Sequence, residues 1–458
     1  MGDRGVRLRV MGGWRDSTSR KATDSTGHGR TVTNMALAFE FFVRDSQRVE
    51  APDSTRLWHG LWGLAGLADA PRHVRWLAWA HVGWAAALAW NLVWLFQSVG
   101  WVTGWNSVVA VLVGGMVAAA SCVGIGPFVL LLYPDGGRGW WRGQVVEPAF
   151  HAHLCAVAVS LGGWPLGLLA EAIGVAPRYL GMRQAPLLVY AAALVVFSWG
   201  AWVTARSLRV SVRDLALRVP ASAENAQRWR RLAGLRVAHL SDLHIGTHLT
   251  PKRAKRWLRR VMDRCPDIVV VTGDLVTSGV RFHQEIVELL SALTCRYGVY
   301  VVRGNHDVGQ CHEELFRRLK ESGVFVLDNE NMTIKHGDTE LVVAGVQDAA
   351  SGGKGLSAAL RGVGDRPAWL LSHYPTVFDW AAKRGVWLTL AGHTHGGQVA
   401  LPWLYRWVNV NRLTQRYCAG VYRNGCSALV VSVGLGCTGL ALRVGVRPEV
   451  VVWRIQVP

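Results

Sequence analysis

The spacing of apolar and polar positions gives this chain two textures. Between residues 76 and 206 the apolar positions run unbroken over long stretches. Segments 76–96, 107–133, 148–170 and 185–205 contain no Lys, Arg, Asp or Glu, although Pro127 interrupts the second and Pro165 the third. At about 1.5 Å per residue, each reaches across a hydrocarbon layer of about 30 Å, and a helix satisfies its own backbone there. The pattern predicts an N-terminal all-α transmembrane bundle of about four helices over 76–206. The apolar stretch 57–68 is only about 18 Å long as a helix, so 35–75 reads as an interfacial segment. Residues 1–34 are polar and basic and lack periodicity. They read as a disordered basic tail, or as sequence ahead of a true start at Met35. No apolar core follows their arginines at signal-peptide spacing.

The basic flanks set an orientation. Arg56, Arg72 and Arg75 precede the first crossing, Arg138 and Arg142 follow the second, and Arg206, Arg209, Arg213 and Arg218 follow the fourth. Only Arg178 and Arg183 fall between the third and fourth. Basic residues collect on the cytoplasmic side, so four crossings put the carboxy-terminal half at the cytoplasmic face of the inner membrane. Without the third crossing the orientation reverses.

From about residue 207, short apolar runs alternate with amphipathic stretches. A leading strand over 210–219 and a polar loop containing 222–230 precede runs at 235–240, 268–271, 299–302, 325–327, 341–344, 369–371, 387–391, 429–433 and 450–453. Fully apolar runs bounded by Gly and Asp mark strands buried between layers, which predicts an α/β domain over 207–458. The chemistry collects at the carboxyl ends of these runs: Ser241-Asp242-Leu243-His244, Thr272-Gly273-Asp274, Arg303-Gly304-Asn305-His306-Asp307, Ser372-His373 and Gly392-His393-Thr394-His395. Strand ends on one edge of a sheet share a crevice. Their mixture of oxygen and imidazole groups suits Mn, Fe or Zn. His239, His248 and His283 stand outside this pattern.

Composition narrows the partners. The 23 Trp, the 50% apolar share and the 18% charged share exclude a disordered chain and suit a membrane protein. The formal charge of +19 fits nucleic acid, anionic lipid or a phosphorylated substrate. No recognised nucleic-acid-binding helix or aromatic motif accompanies it, so nucleic acid is not expected. The eight Cys have no CxxC pairing and read as scattered reduced thiols.

The series Asp-x-His, Gly-Asp, Gly-Asn-His-Asp, His and Gly-His-x-His resembles the calcineurin-like metallophosphoesterase superfamily over about Leu235 to Ile455. The run GHTHGGQ at 392–398, Leu401-Pro402, Gly420-Val421-Tyr422, VGLG at 433–436 and RVGVRPE at 443–449 resemble its bacterial membrane-associated branch of YkuE-like and YaeI-like phosphoesterases. The resemblance implies a layered αββα sandwich and two divalent metal ions. Asp242, His244, Asp274 and His395 would hold the first; Asp274, Asn305, His373 and His393 would hold the second, with Asp274 bridging. A hydroxide held between the cations would attack phosphorus in line. His306 would protonate the leaving oxygen, and Asp307 would orient and charge its ring. Arg303 stands where many relatives carry a small or apolar residue, a change that bears on substrate preference.

The expected activity is a membrane-anchored two-metal hydrolase acting on a lipid- or nucleotide-linked phosphoester. The alternative is a catalytically inactive phosphoesterase-like module of a membrane sensor or transporter. Two further stretches bear on partners. PKRAKRWLRR at 251–260 reads either as a contact for anionic headgroups or substrate phosphate, or as a solvated helix face. LPWLYRW at 401–407 offers Trp403, Leu404, Tyr405 and Trp407 either to lipid or to the sheet.

Overall fold

The computed structural model describes residues 144, 148–149, 151–156, 158–160 and 185–458, apart from 221–225, 247, 278, 348–352, 402–403, 406–407 and 414. The expected tail, interfacial segment and first two crossings lie outside the described residues, as does most of the third. Among the described residues, one helix is long and apolar enough to cross a membrane: α1, Ala185–Trp202, which carries no charged side chain. It passes through a 3-10 turn at Thr204–Arg206 directly into strand β1, Arg209–Ala216.

The rest is two six-stranded sheets packed face to face. The first runs β1, β12 (Glu449–Gln456), β2 (Arg236–Leu240), β3 (Ile268–Thr272), β4 (Val299–Val302) and β5 (Phe325–Val326). The second runs β10 (Gly420–Asn424), β11 (Ser427–Val431), β9 (Leu388–Ala391), β8 (Ala368–Ser372), β7 (Thr339–Val346) and β6 (Glu330–His336). Strands β2 to β5 pair in parallel, as do β7, β8, β9 and β11. Successive side chains of a strand point to opposite faces, and the packing follows. Val237, Ile268, Val270, Tyr300 and Val302 meet Trp369, Leu371, Trp387, Leu388 and Val430 between the sheets. Their neighbours Ala238, Leu240, Val269, Val271 and Val301 face outward onto helices.

Three amphipathic helices cover that outer face: α3 (Pro251–Met262), α4 (His283–Ser291) and α5 (Gln310–Glu321). In α3, Thr250 caps the first turn and Pro251 opens it, where a missing N–H costs nothing. Ala254, Trp257, Leu258 and Val261 turn inward, while Lys252, Lys255, Arg256, Arg259 and Arg260 stay in solvent. Helices α6 (Gly353–Ala359) and α7 (Phe378–Lys383) cover the second sheet. The layering is α, β, β, α.

The sequence pattern misses three elements. The loop expected around 222–230 contains a short helix, α2 (Ala226–Arg230), which buries Trp229 edge-on against Trp387, 4.9 Å between ring centroids. Strand β6 carries one buried side chain, Ile334, and strand β10 none. Both are edge strands with too few apolar positions to show an alternating pattern.

Candidate metal centre

Each cluster singled out in the sequence follows the carboxyl end of a parallel strand. The backbone there is strained in a consistent way. Asp242, His244, Asp274, His393 and His395 all adopt positive φ, between 44° and 69°. Few non-glycine residues do so, and such strain persists where surrounding structure over-determines it. Room is equally tight: a Cβ at Gly304 would collide with the Asp274 carboxylate, so the turn after β4 admits only glycine there.

These turns bring seven side chains together. Asp242, His244, Asp274 and His395 place their ligand atoms within 4.8 Å of one another. His244 Nε2 lies 3.2 Å from His395 Nε2 and 3.3 Å from Asp274 Oδ2, and His395 Nε2 lies 3.3 Å from Asp242 Oδ1. On the other side of Asp274, His373 Nε2 lies 3.4 Å from the same Oδ2 and 3.0 Å from Asn305 Oδ1. His393 Nδ1 completes that group at 3.2 Å from both Asn305 Oδ1 and His373 Nε2. One carboxylate oxygen therefore stands between two clusters.

The donor chemistry fits two cations. His244 Nδ1 donates to the Val276 carbonyl at 3.1 Å and His373 Nδ1 donates to the Thr272 carbonyl at 2.8 Å. Each ring thus turns an Nε2 lone pair into the centre, where carboxylate oxygens also converge. The electrostatics show the same demand for positive charge. Asp274 and Asp242 outweigh the effect of burial on His373 and push its pKa up to about 10. Burial pushes Asp274 up, but the His373 and His306 rings, with hydrogen bonds from His244 and His373, hold it well below the usual carboxylate range. Burial, with the Asp274 charge nearby, raises Asp242. Burial and the neighbouring His373 lower His393 to about 3, and burial with His244 and Arg443 lowers His395. Asp242, His244, Asp274, His373 and His395 are at most 3% exposed, whereas Asn305, His306 and His393 are half-buried. The centre opens on the side of those three.

His306 sits at that opening. Its backbone N–H donates to Asp274 Oδ1 at 2.9 Å, its ring Nδ1 faces the Thr277 carbonyl at 2.9 Å, and Nε2 lies 3.4 Å from Thr438 Oγ1. Asp307 differs from expectation. Its carboxylate does not meet the His306 ring; Oδ1 accepts from the amides of Leu275 (2.9 Å) and Val276 (3.3 Å), and Oδ2 accepts from that of Gly304 (2.9 Å). A side chain that follows His306 along the turn leaves on the opposite face, so Asp307 ties the β3 loop to the β4 loop. Burial and the charge of Asp274 push it up to about 7. Arg303 also turns away from the centre. It is 4% exposed, paired with Glu313 at 2.8 Å and Asp328 at 3.1 Å, and stacked on Phe316. Its partners lie under the helices, away from the seven converging side chains.

Three contributors escaped the sequence reading. Ser241 Oγ donates to Asp242 Oδ2 at 2.5 Å, the Tyr374 ring lies 4.3 Å from the His393 ring, and Arg443 Nη2 lies 3.2 Å from His395 Nδ1. Ser241 and Tyr374 adjoin ligands in sequence. Arg443 heads the RVGVRPE run, so its position was visible but its direction was not. In the 401–407 loop, Trp403 and Trp407 lie outside the described residues. Leu404 is exposed, and Tyr405 packs with Ala400 against Ala419, Val433 and Val446.

Comparison with known proteins agrees with this geometry. The family model described as calcineurin-like phosphoesterase matches residues 235–397. The chain is 30% identical to the uncharacterized metallophosphoesterase YkuE of Bacillus subtilis, over 49% of this chain and 79% of that protein. It is also 30% identical to YkoQ of the same organism, over 47% of this chain and 82% of that protein. A bovine transmembrane protein with metallophosphoesterase domain is 32% identical over 47% of this chain and 52% of its own length.

Proposed function

Because this chain belongs to the calcineurin-like phosphoesterases, and so is a metal-dependent phosphoesterase, we propose that it is a membrane-anchored, two-metal phosphoester hydrolase of the YkuE/YaeI-like branch. The observation that carries the two-metal assignment is Asp274 Oδ2, within 3.3 Å of His244 Nε2 and 3.4 Å of His373 Nε2. Asp242, His244, Asp274 and His395 would hold one cation; Asp274, Asn305, His373 and His393 would hold the other. When bound, the pair supplies Lewis acidity toward the phosphoryl group.

The chain's own residues do the rest. The closed side, formed by Asp242, His244 and His395, excludes water. The half-exposed side of Asn305, His306 and His393 admits the phosphoester. His306, held through Nδ1 by the Thr277 carbonyl, presents Nε2 to the opening; protonated on both nitrogens, it gives the Nε2 proton to the leaving oxygen and is left as the neutral ring. The uncharged α1 helix, joined to β1 through the turn at Thr204–Arg206, supports anchoring, as does similarity to a relative whose name includes a transmembrane protein. The basic flanks support a cytoplasmic face for the domain if all four segments cross, and there the exposed cations of α3 would meet anionic headgroups. Tethering there favours a lipid- or nucleotide-linked substrate.

The test is metal analysis and turnover of the full chain with Mn, using bis(p-nitrophenyl) phosphate and p-nitrophenyl phosphate. Asp274→Asn should lose bound metal and all turnover. An Asp274→Asn chain that keeps both ions and its rate would sink the bridging assignment.

A further inference from the structure

The loop between β11 and β12 touches the metal centre on one side and the apolar helix α1 on the other. Toward the centre, the Gly436 N–H donates to the Asp242 carbonyl at 2.7 Å, and Thr438 faces His306. Arg443 is fully buried. Its Nη1 donates to the Val433 carbonyl at 2.9 Å and its Nε to the Gly436 carbonyl at 3.0 Å, while its Nη2 lies 3.2 Å from His395 Nδ1. Among the described residues no carboxylate is hydrogen-bonded to this guanidinium. A guanidinium has donors only; through the Val433 and Gly436 carbonyls it clamps the 433–436 turn, whose Leu435 and Gly436 amides donate to the Asp242 carbonyl at 3.3 Å and 2.7 Å.

Toward α1, the same residue is fixed by its backbone. The Arg443 N–H donates to the Gly200 carbonyl at 3.2 Å. Leu442 is wholly buried among Ala193, Phe197 and Ala201 of α1 and Ala152 and Ala156 of the preceding helical segment. Gly200 has no room for a side chain: a Cβ there would lie 2.7 Å from Val444 Cγ2 and 2.9 Å from the Arg443 carbonyl oxygen. Helix, Arg443 and the turn that holds Asp242 thus form one packed chain of contacts.

We propose that Arg443 is a positioning residue for Asp242, acting through the 433–436 turn, and that α1 sets Arg443 through Gly200, so that the apolar helix is a structural part of the metal centre and not a detachable tether. This rests on the two-metal reading of the site. Partners that orient a metal ligand typically contribute about 10–100-fold to metal affinity, and the effect should fall on the one cation that Asp242 and His395 would hold.

The experiment is Mn titration of the full-length chain in detergent, followed by electron paramagnetic resonance and paired with a thermal melt. The native chain should take up a spin-coupled pair. Arg443→Lys and Arg443→Gln should weaken one ion by about 10–100-fold, replacing the coupled signal with that of an isolated ion. Gly200→Ala should weaken the same ion by a smaller factor. If the native chain binds fewer than two ions, the two-metal reading fails and takes this inference with it. If the native chain binds a pair and the variants bind both ions unchanged, or lose both equally, only the inference is overturned. Should Arg443→Gln fail to fold, Arg443→Lys and Gly200→Ala decide the matter.

Discussion

The two halves of the metal centre are built from similar side chains but differ in what surrounds them. Around Asp242, His244 and His395, every candidate ligand is buried: Ser241 donates to Asp242, the Val276 carbonyl accepts from His244, and the Arg443 guanidinium packs 3.2 Å from the His395 ring. Around Asn305, His373 and His393, only His373 is fully enclosed, and the neighbouring His306 ring stands in the opening. The closed half can hold charge in a low dielectric, where each interaction is strong. The open half must admit a phosphoester and release an alcohol. The contrast teaches that ligand identity alone does not divide the labour; burial does.

The largest expected effect tests the open half. His306→Ala should lower kcat by about 10²–10⁴-fold for esters with poorly acidic leaving alcohols, the usual range for a lost proton donor. The loss should shrink sharply for p-nitrophenyl esters, whose leaving group departs without a proton. Bound metal should not change, since neither cluster uses the His306 ring. A loss that is equal for both ester types would remove His306 from proton transfer.

A second expected effect tests the bridge between the halves. Asp307 accepts from amides of both the β3 and β4 loops. Asp307→Asn turns one acceptor oxygen into a donor facing a buried N–H. Leaving such a group unsatisfied costs about 1–3 kcal/mol. Denaturant melts should therefore shift by that amount, while the leaving-group dependence set by His306 stays as in the native chain. An altered leaving-group dependence with unchanged stability would restore the role expected from sequence, orienting His306.

The difference between halves also explains what was legible beforehand. The Asp-x-His, Gly-Asp, Gly-Asn-His-Asp and Gly-His-x-His clusters each follow an apolar run fully buried between layers, as at Ile268–Thr272. Hydrophobic pattern locates the strand and the strand's end locates the ligand. Asp307 and Arg443 were misjudged or passed over for the same physical reason. Sequence adjacency gives the position of a side chain but not its direction where the chain runs through an irregular turn or loop, as it does at both positions. Edge strands β6 and β10 lacked a pattern to read because one or none of their side chains is buried. The same pattern logic predicts membrane crossings from the long uncharged runs. Of these, only α1 is described in full, and its contact with Arg443 lies beyond any periodicity argument.

The smallest expected effect concerns protons refused by the enclosed layers. Burial lowers His239, between the sheets, to about 3, and burial together with His283 lowers His312, under the helices, to about 4; both ordinarily titrate at 6.5. Above pH 6.5 both rings are neutral whether the chain is folded or not, and they add no pH dependence. As pH falls below 6.5, the unfolded chain takes up these protons and the folded chain does not, so stability is lost down to the folded pKa values. Each ring contributes a slope of about 1.4 kcal/mol per pH unit. Lowering the pH from 6.5 to 5.5 should therefore cost about 1 kcal/mol for each ring, less near the start of the titration. His239 hydrogen-bonds Thr272 and touches no ligand side chain directly. Replacing it with Leu should remove one ring's share of the slope without changing metal uptake. Equal slopes for the His239→Leu and native chains, in denaturant melts across that range, would mean that the inter-sheet layer admits the proton and is less closed than its packing indicates.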